Sequence, residues 1–184
     1  WRTLAALPLV LTLVVAARAN VAGPPPAHTG GFGEKTCHEC HFDGPLDAPS
    51  GEVTIEGVPF VYEPGHTYTL HIRVRDARLK RAGFELAARY AAGPDAGVQA
   101  GELHIAPGIG ATTIANDVIY AHHVASGTTP DSAGEHGWDI EWTAPADARA
   151  DVALHVAANA ANDDDSELGD RIHTGSVVVP HAVK

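Results

Sequence analysis

The sequence predicts an all-β fold, an immunoglobulin-like antiparallel β-sandwich, on three observations. From Gly51 onward, apolar residues alternate with polar ones in short runs bounded by Gly, Pro, Asp and Asn, the pattern of strands with one buried face. After Asn20 no long segment carries the 3.6-residue period of a helix. Gly 19 and Pro 13, with aromatics at only 6%, describe a turn-rich chain rather than a helical bundle. With 184 residues, 45% of them hydrophobic and 19% charged, there is apolar material for one core, so one domain is expected.

The first segment, residues 1–19, runs from Arg2 through an apolar stretch to Ala17-Arg18-Ala19. A basic start, a short apolar run and an A-x-A site predict a secretory signal peptide cleaved before Asn20, and so a periplasmic or extracellular protein. The apolar run of about 14 residues is short for a membrane span, and no later segment reaches the roughly 20 apolar residues that spanning requires. Cleavage would remove Arg2 and Arg18 and no acid, leaving 10 basic against 23 acidic residues, a net charge of −13. An acidic chain with no basic stripe excludes a nucleic-acid backbone as the default partner.

Residues 20–33, with Pro24-Pro25-Pro26, read as an extended Pro/Gly-rich linker, and residues 34–50 as a loop. The sandwich is expected over 51–184. Its clearest strand is Thr67 to Val74, where Tyr68, Leu70, Ile72 and Val74 share one face. The same reading applies to Val53/Ile55, Phe84/Leu86/Ala88/Tyr90, Trp138/Ile140/Trp142, Val152/Leu154/Val156, and Ile172 with the Val177–Val179 run. Seven or eight short strands result.

The loop holds the chain's two cysteines, in Cys37-His38-Glu39-Cys40-His41. C-x-x-C-H is the haem c attachment signature: two thiols three residues apart can both reach the haem vinyl groups, and His41 then lies under the iron as proximal ligand. The second ring nitrogen of His41 is expected to donate to a backbone carbonyl. A dithiol redox site and a structural zinc site are the alternatives. The first lacks the helix start and βαβ setting of such motifs, and the second lacks a further close ligand pair. Since the chain contains no Met, a His/Met haem is excluded, and the iron is either bis-His or open on one side.

With these residues in place, the chain resembles the bacterial Reeler-like domain, a relative of the N-terminal domains of reelin and spondin, in the subset with a haem c motif ahead of the sandwich. The matching stretches are Thr29-Gly30-Gly31-Phe32-Gly33-Glu34, Tyr62-Glu63-Pro64-Gly65, Tyr68-Thr69-Leu70, Gly83 to Arg89, Trp138 to Pro145, Ala158 to Asn162, and Gly169-Asp170. His123, followed four residues later by Gly127, matches the family's His-x-x-x-Gly pattern, which implies His123 as the distal iron ligand. His122 is the alternative, because neighbours in a strand face opposite ways. Animal Reeler domains look disulfide-stapled, whereas both cysteines here belong to the haem motif, so the core alone must hold the sandwich.

Other candidates are weaker. His71, His155 and His173 alternate with apolar residues and are expected in solvent, and His38 is tied to the attachment loop. Asp163 to Asp165 could offer oxygens to Ca²⁺, but the loop lacks EF-hand spacing and reads as a solvated turn. Trp138 and Trp142 read as core. No nucleophile elbow, zinc-protease or P-loop pattern is present, and no cluster of distal catalytic groups is legible, so an enzyme is not expected. The sequence thus predicts an exported cytochrome with one covalent haem c, which passes single electrons to a redox partner protein, alone or as a homo- or hetero-oligomer. The alternative is a haem-containing binding or sensor module whose sandwich docks a protein or glycan.

Overall fold

The computed structural model describes residues 20–182, so the leader expected over residues 1–19 lies outside the described residues. Among the described residues there are nine strands: β1 (Gly51–Glu56), β2 (Thr67–Asp76), β3 (Arg81–Tyr90), β4 (Glu102–Ile105), β5 (Gly110–Ala115), β6 (Val118–His123), β7 (Glu135–Thr143), β8 (Val152–Ala161) and β9 (Arg171–Val179). They form two antiparallel sheets, β1-β2-β7-β4 and β5-β6-β3-β8-β9, so the chain is an all-β sandwich. The helical segments among the described residues are three-residue 3₁₀ turns, and none is long or apolar enough to cross a membrane.

The alternation read from the sequence sets the inner faces. Leu70, Ile72 and Val74 of β2 lie beside Ile140, Trp138 and His136 of β7, and the β2 and β7 apolar residues pack on Phe84, Leu86 and Ala88 of β3 and on Leu154 and Val156 of β8. Burying side chains of this size is worth ~1.5–3 kcal/mol each, which lets the core stand without a cross-link. Both cysteines are free thiols. Inside the core the polar tips are satisfied locally: Trp138 Nε1–H donates to Gly127 O (2.7 Å), Trp142 Nε1–H to Ala100 O (3.0 Å) and the Tyr62 hydroxyl to Ala150 O (2.7 Å).

Two strands exceed the expected set. β4 has only Leu103 and Ile105 as buried apolar residues, and β5 reads Gly-Ala-Thr-Thr-Ile-Ala, so neither carries a strong alternation. β5 and β6 are joined by Asn116-Asp117, both at positive φ (49° and 60°), the conformation of a two-residue hairpin whose twist matches its strands.

The outer face of the β3–β8 pair is the larger departure, because it is not solvent-facing. Glu85, Ala87 and Arg89 of β3 and Ala153 and Ala157 of β8 are all buried there. The stretch 20–33, expected as a linker, lies on this face together with the loop after it. Ala27 packs on Ala87, Val118 and Tyr120; the His28 amide donates to Glu85 (2.5 Å); Gly31 sits against the His155 ring, where a β-carbon would come within 2.5 Å. The small residues of β8 leave the room this cover occupies.

One consequence corrects an expectation. His173 is buried, not solvent-exposed, because on β9 Ile172 turns outward beneath the 34–50 loop and His173 turns between the sheets, where its Nε2 lies 3.2 Å from Asp76. His71 does keep to the solvent side, paired with Asp139 at 2.8 Å, and His155 is half-buried edge-on to Phe32.

Candidate functional site

At one end of the covered face a cleft of about 640 Å³ opens, within the range of small-ligand and cofactor pockets. Its floor is the outer surface of β3 and β8, from Arg81, Gly83, Asn159 and Ala161. Cys37, Cys40 and His41 form one wall, and His123, at the end of β6, forms another with the 20–28 segment. Asp163, Asp164 and Asp165 lie at its rim.

The 37–41 turn is shaped by its own backbone. Thr36 Oγ1 accepts from the His38 amide (3.2 Å), and the amides of Cys40 and His41 both donate to Cys37 O (3.3 and 3.1 Å), which winds the motif into a single 3₁₀ turn. His38 is drawn away, its Nε2 2.7 Å from Gly44 O. Burial, with the negative charge of Glu85 adding, pushes the Cys37 thiol up to about 12, so it is present as S–H rather than thiolate. Glu34, just before the motif, fixes the turn to the sheet: its carboxylate receives Arg89, the Tyr120 hydroxyl (2.5 Å) and the Thr29 hydroxyl (2.5 Å).

His41 departs from the sequence-based expectation. Its Nδ1 lies 2.7 Å from the carboxylate of Asp170 rather than on a backbone carbonyl, and Asn159 Nδ2 lies 3.3 Å from the same nitrogen. A carboxylate replaces the carbonyl because Asn159 of β8 and Asp170, the residue leading into β9, stand side by side under the loop. Asp170 is itself held by Asn159 Nδ2 (2.9 Å) and the Asn162 amide (3.0 Å).

His123 reaches the cleft over Gly83. Its Nδ1 lies 3.0 Å from the Phe84 amide and 3.2 Å from Phe84 O, and its Nε2 lies 3.4 Å from Asn20 O. Nδ1 accepts from the Phe84 amide, which leaves the proton of the neutral ring on Nε2, directed at Asn20 O; with that proton moved to Nδ1, where Phe84 O can accept it, Nε2 would have a lone pair to offer. Burial lowers the His123 pKa, opposed by these backbone contacts and assisted by His122 and His41, so the ring is held neutral. His122 faces elsewhere: Nε2 meets Thr113 Oγ1 (2.9 Å), Nδ1 lies 2.8 Å from His123 O, and the ring does not line the cleft. The structure therefore gathers Cys37, Cys40, His41 and His123 around one cavity and leaves His122 outside it.

These residues fit a haem c. Two thiols sit one turn apart beside an imidazole engaged through Nδ1, a second neutral imidazole shares the cavity, and Asn159, which also lines it, has a buried Oδ1 with no hydrogen-bond partner. Among the described residues no three His, Cys, Asp or Glu side chains gather to hold a bare metal ion. At the acidic rim Asp163 is paired with Arg81 (2.5 Å), and Asp164 binds the Ser166 amide (3.0 Å) and the Asn162 side chain (3.0 Å), the contacts of a self-closing turn. Trp138 and Trp142 lie in the core, away from the cleft. Sequence reasoning missed Asp170, Asn159 and Gly83 as site residues; they stood only inside stretches quoted for resemblance.

No family model and no curated protein matches the sequence. Among solved structures the chain is similar to the reeler domain of human F-spondin, at 16% identity over 73% of this chain and 92% of that chain, with a TM-score of 0.43. It is similar also to the Reelin-N domain of F-spondin, at 16% identity over 77% and 96% of the two chains with a TM-score of 0.44. A chain of a type I cohesin–dockerin complex from Clostridium thermocellum follows at 12% identity, over 72% of this chain and 99% of that chain, with a TM-score of 0.40.

Proposed function

We propose that this chain is an exported monohaem c-type cytochrome that transfers single electrons, with the haem seated in the cleft between the attachment turn and the outer face of β3 and β8. The observation that carries the reading is the convergence of Cys37, Cys40, His41 and His123 on one cavity, although 82 residues separate the two histidines in the chain. When bound, a haem c supplies a one-electron Fe(III)/Fe(II) couple.

The chain's residues have separable parts in this. Cys37 and Cys40 would hold the haem as thioethers at its two vinyl groups, each C=C taking up one thiol's sulfur and hydrogen with no oxidant needed. His41, its Nδ1 engaged by Asp170, would hold the iron through Nε2. His123, its ring proton moved from Nε2 to Nδ1 with Phe84 O as acceptor, would hold the iron through Nε2. The 20–28 segment covers the cavity on the His123 side, which reduces water access and so helps set the potential.

Producing the chain in a periplasm with c-type haem maturation machinery tests the reading. We expect an intact mass with one haem added to a chain beginning at Asn20, and a low-spin, six-coordinate spectrum. Colour extracted by acidic solvent, or cysteines that still alkylate, would overturn covalent attachment. High-spin iron that takes up CO readily would instead favour a sensor module over an electron carrier.

A further inference from the structure

Resting on the reading of a haem c in this cleft, we propose that Asp170, steadied by Asn159, is a positioning residue that gives His41 partial imidazolate character and biases the site toward Fe(III). The contact is built for this. Nδ1 of His41 and Oδ2 of Asp170 are 2.7 Å apart, with the carboxylate side chain 1% and the imidazole 14% exposed. At that depth a hydrogen bond to a charged acceptor is shorter and stronger than one to a neutral carbonyl, and it draws the Nδ1 proton away from the ring. Electron density pushed to the other ring nitrogen makes it a stronger donor, and a stronger donor favours the more highly charged iron.

The carboxylate is fixed from the sheet rather than from the loop it serves. Oδ2 also receives Asn159 Nδ2 (2.9 Å), Oδ1 receives the Asn162 amide (3.0 Å), and the preceding Gly169 amide donates to Asp43 Oδ2 (2.7 Å), which ties the strand entrance to the attachment loop. Asn159 Nδ2 touches both members of the pair, 3.3 Å from His41 Nδ1 and 2.9 Å from Asp170 Oδ2. A carboxylate serving only as a clamp for the loop would have the same packing. The two roles separate because Asp170→Asn preserves shape and leaves an amide oxygen to accept the Nδ1 proton, while removing the charge.

The experiment is spectroelectrochemistry on the haem-loaded protein. Asp170→Asn should shift the Fe(III)/Fe(II) preference toward Fe(II) by about tenfold, the low end of the effect of losing such a partner, which reads as a potential raised by about 59 mV. Asn159→Ala, which keeps the carboxylate but loosens it, should move the potential the same way by less, and it serves if Asp170→Asn fails to load haem. In a His123→Ala background, the ferrous iron–histidine stretch should fall in frequency when Asp170→Asn is added. A loaded Asp170→Asn protein with unchanged potential and unchanged stretch would reduce the carboxylate to a clamp and overturn the inference while leaving the haem reading intact. If Asp170→Asn does not load, an unchanged potential in Asn159→Ala overturns it. Wild-type protein without covalent haem would overturn both.

Discussion

A β-carbon on Gly83 would stand 2.7 Å from Cε1 of His123. The bare position on β3 is what lets the imidazole lie across the strand and enter the cleft. A β-strand interior is a poor place for glycine on conformational grounds alone, so close approach is the physical reason for it here.

Gly83→Ala should therefore act on His123 first. The methyl group overlaps the ring, and displacing it costs about 1–3 kcal/mol, the usual range for overpacking. A urea titration should show the midpoint falling at constant slope, and the loaded protein should gain a high-spin fraction. An unchanged midpoint and spectrum would mean that the ring does not cross this strand.

His123→Ala and His122→Ala should differ in kind. The first should convert low-spin iron to a high-spin form that binds imidazole or CO; the second, which loses the contacts to Thr113 and to His123 O but no group lining the cleft, should leave the spectrum unchanged. The reverse result would place the strand register off by one.

Removing Glu34 should free the cover from the sheet. Glu34→Ala leaves Arg89 buried without its carboxylate, a loss of roughly 3–5 kcal/mol for a broken buried pair. Hydrogen exchange should rise across residues 27–41 before it rises in β2 and β7. Equal loss of protection everywhere would show that cover and sandwich open as one unit.

Asp76 and His173 give the chain an acid limit. Burial works to raise the Asp76 pKa, but the Arg78 amide, the Ser50 hydroxyl and His173 together hold it below the ordinary 3.8. A carboxyl lowered in the folded state adds stability that is present above the unfolded value and is lost as pH falls through the folded one. Stability should thus drop steeply below about pH 4, and Asp76→Asn should flatten that part of the profile while lowering stability at neutral pH. A profile identical in the variant would assign the acid limit to other carboxylates.

The inner faces were legible because period two has only one meaning when Tyr68, Leu70, Ile72 and Val74 must share a side. The grouping of Cys37, Cys40 and His41 was legible because the three are local in the chain. What was hidden depended on the outer face being covered. Alternation marks which residues turn inward, but it cannot tell whether the other side meets water, so His173 was placed in solvent and Arg89 and Glu85 passed unnoticed. Asp170 and Asn159 were hidden for a related reason: their role comes from strand pairing that brings them beneath His41, from positions 129 and 118 residues away. Gly83 carries no chemistry of its own, and its function shows only when the ring beside it is in place.

The cover on β3 and β8 also sets an order of events. The C-x-x-C-H turn leaves the ribosome, and would cross a membrane, long before its resting place exists, since Asn159 belongs to β8 and Asp170 immediately precedes β9, the two last strands. Until those strands pair, the two thiols have no sheet to settle on and, on the proposed reading, would stay open to a haem-attaching machinery. Closure of the sheet ends that window. Slowing export of the last strands should therefore raise the yield of loaded protein, and a chain allowed to fold before meeting haem should resist loading afterwards.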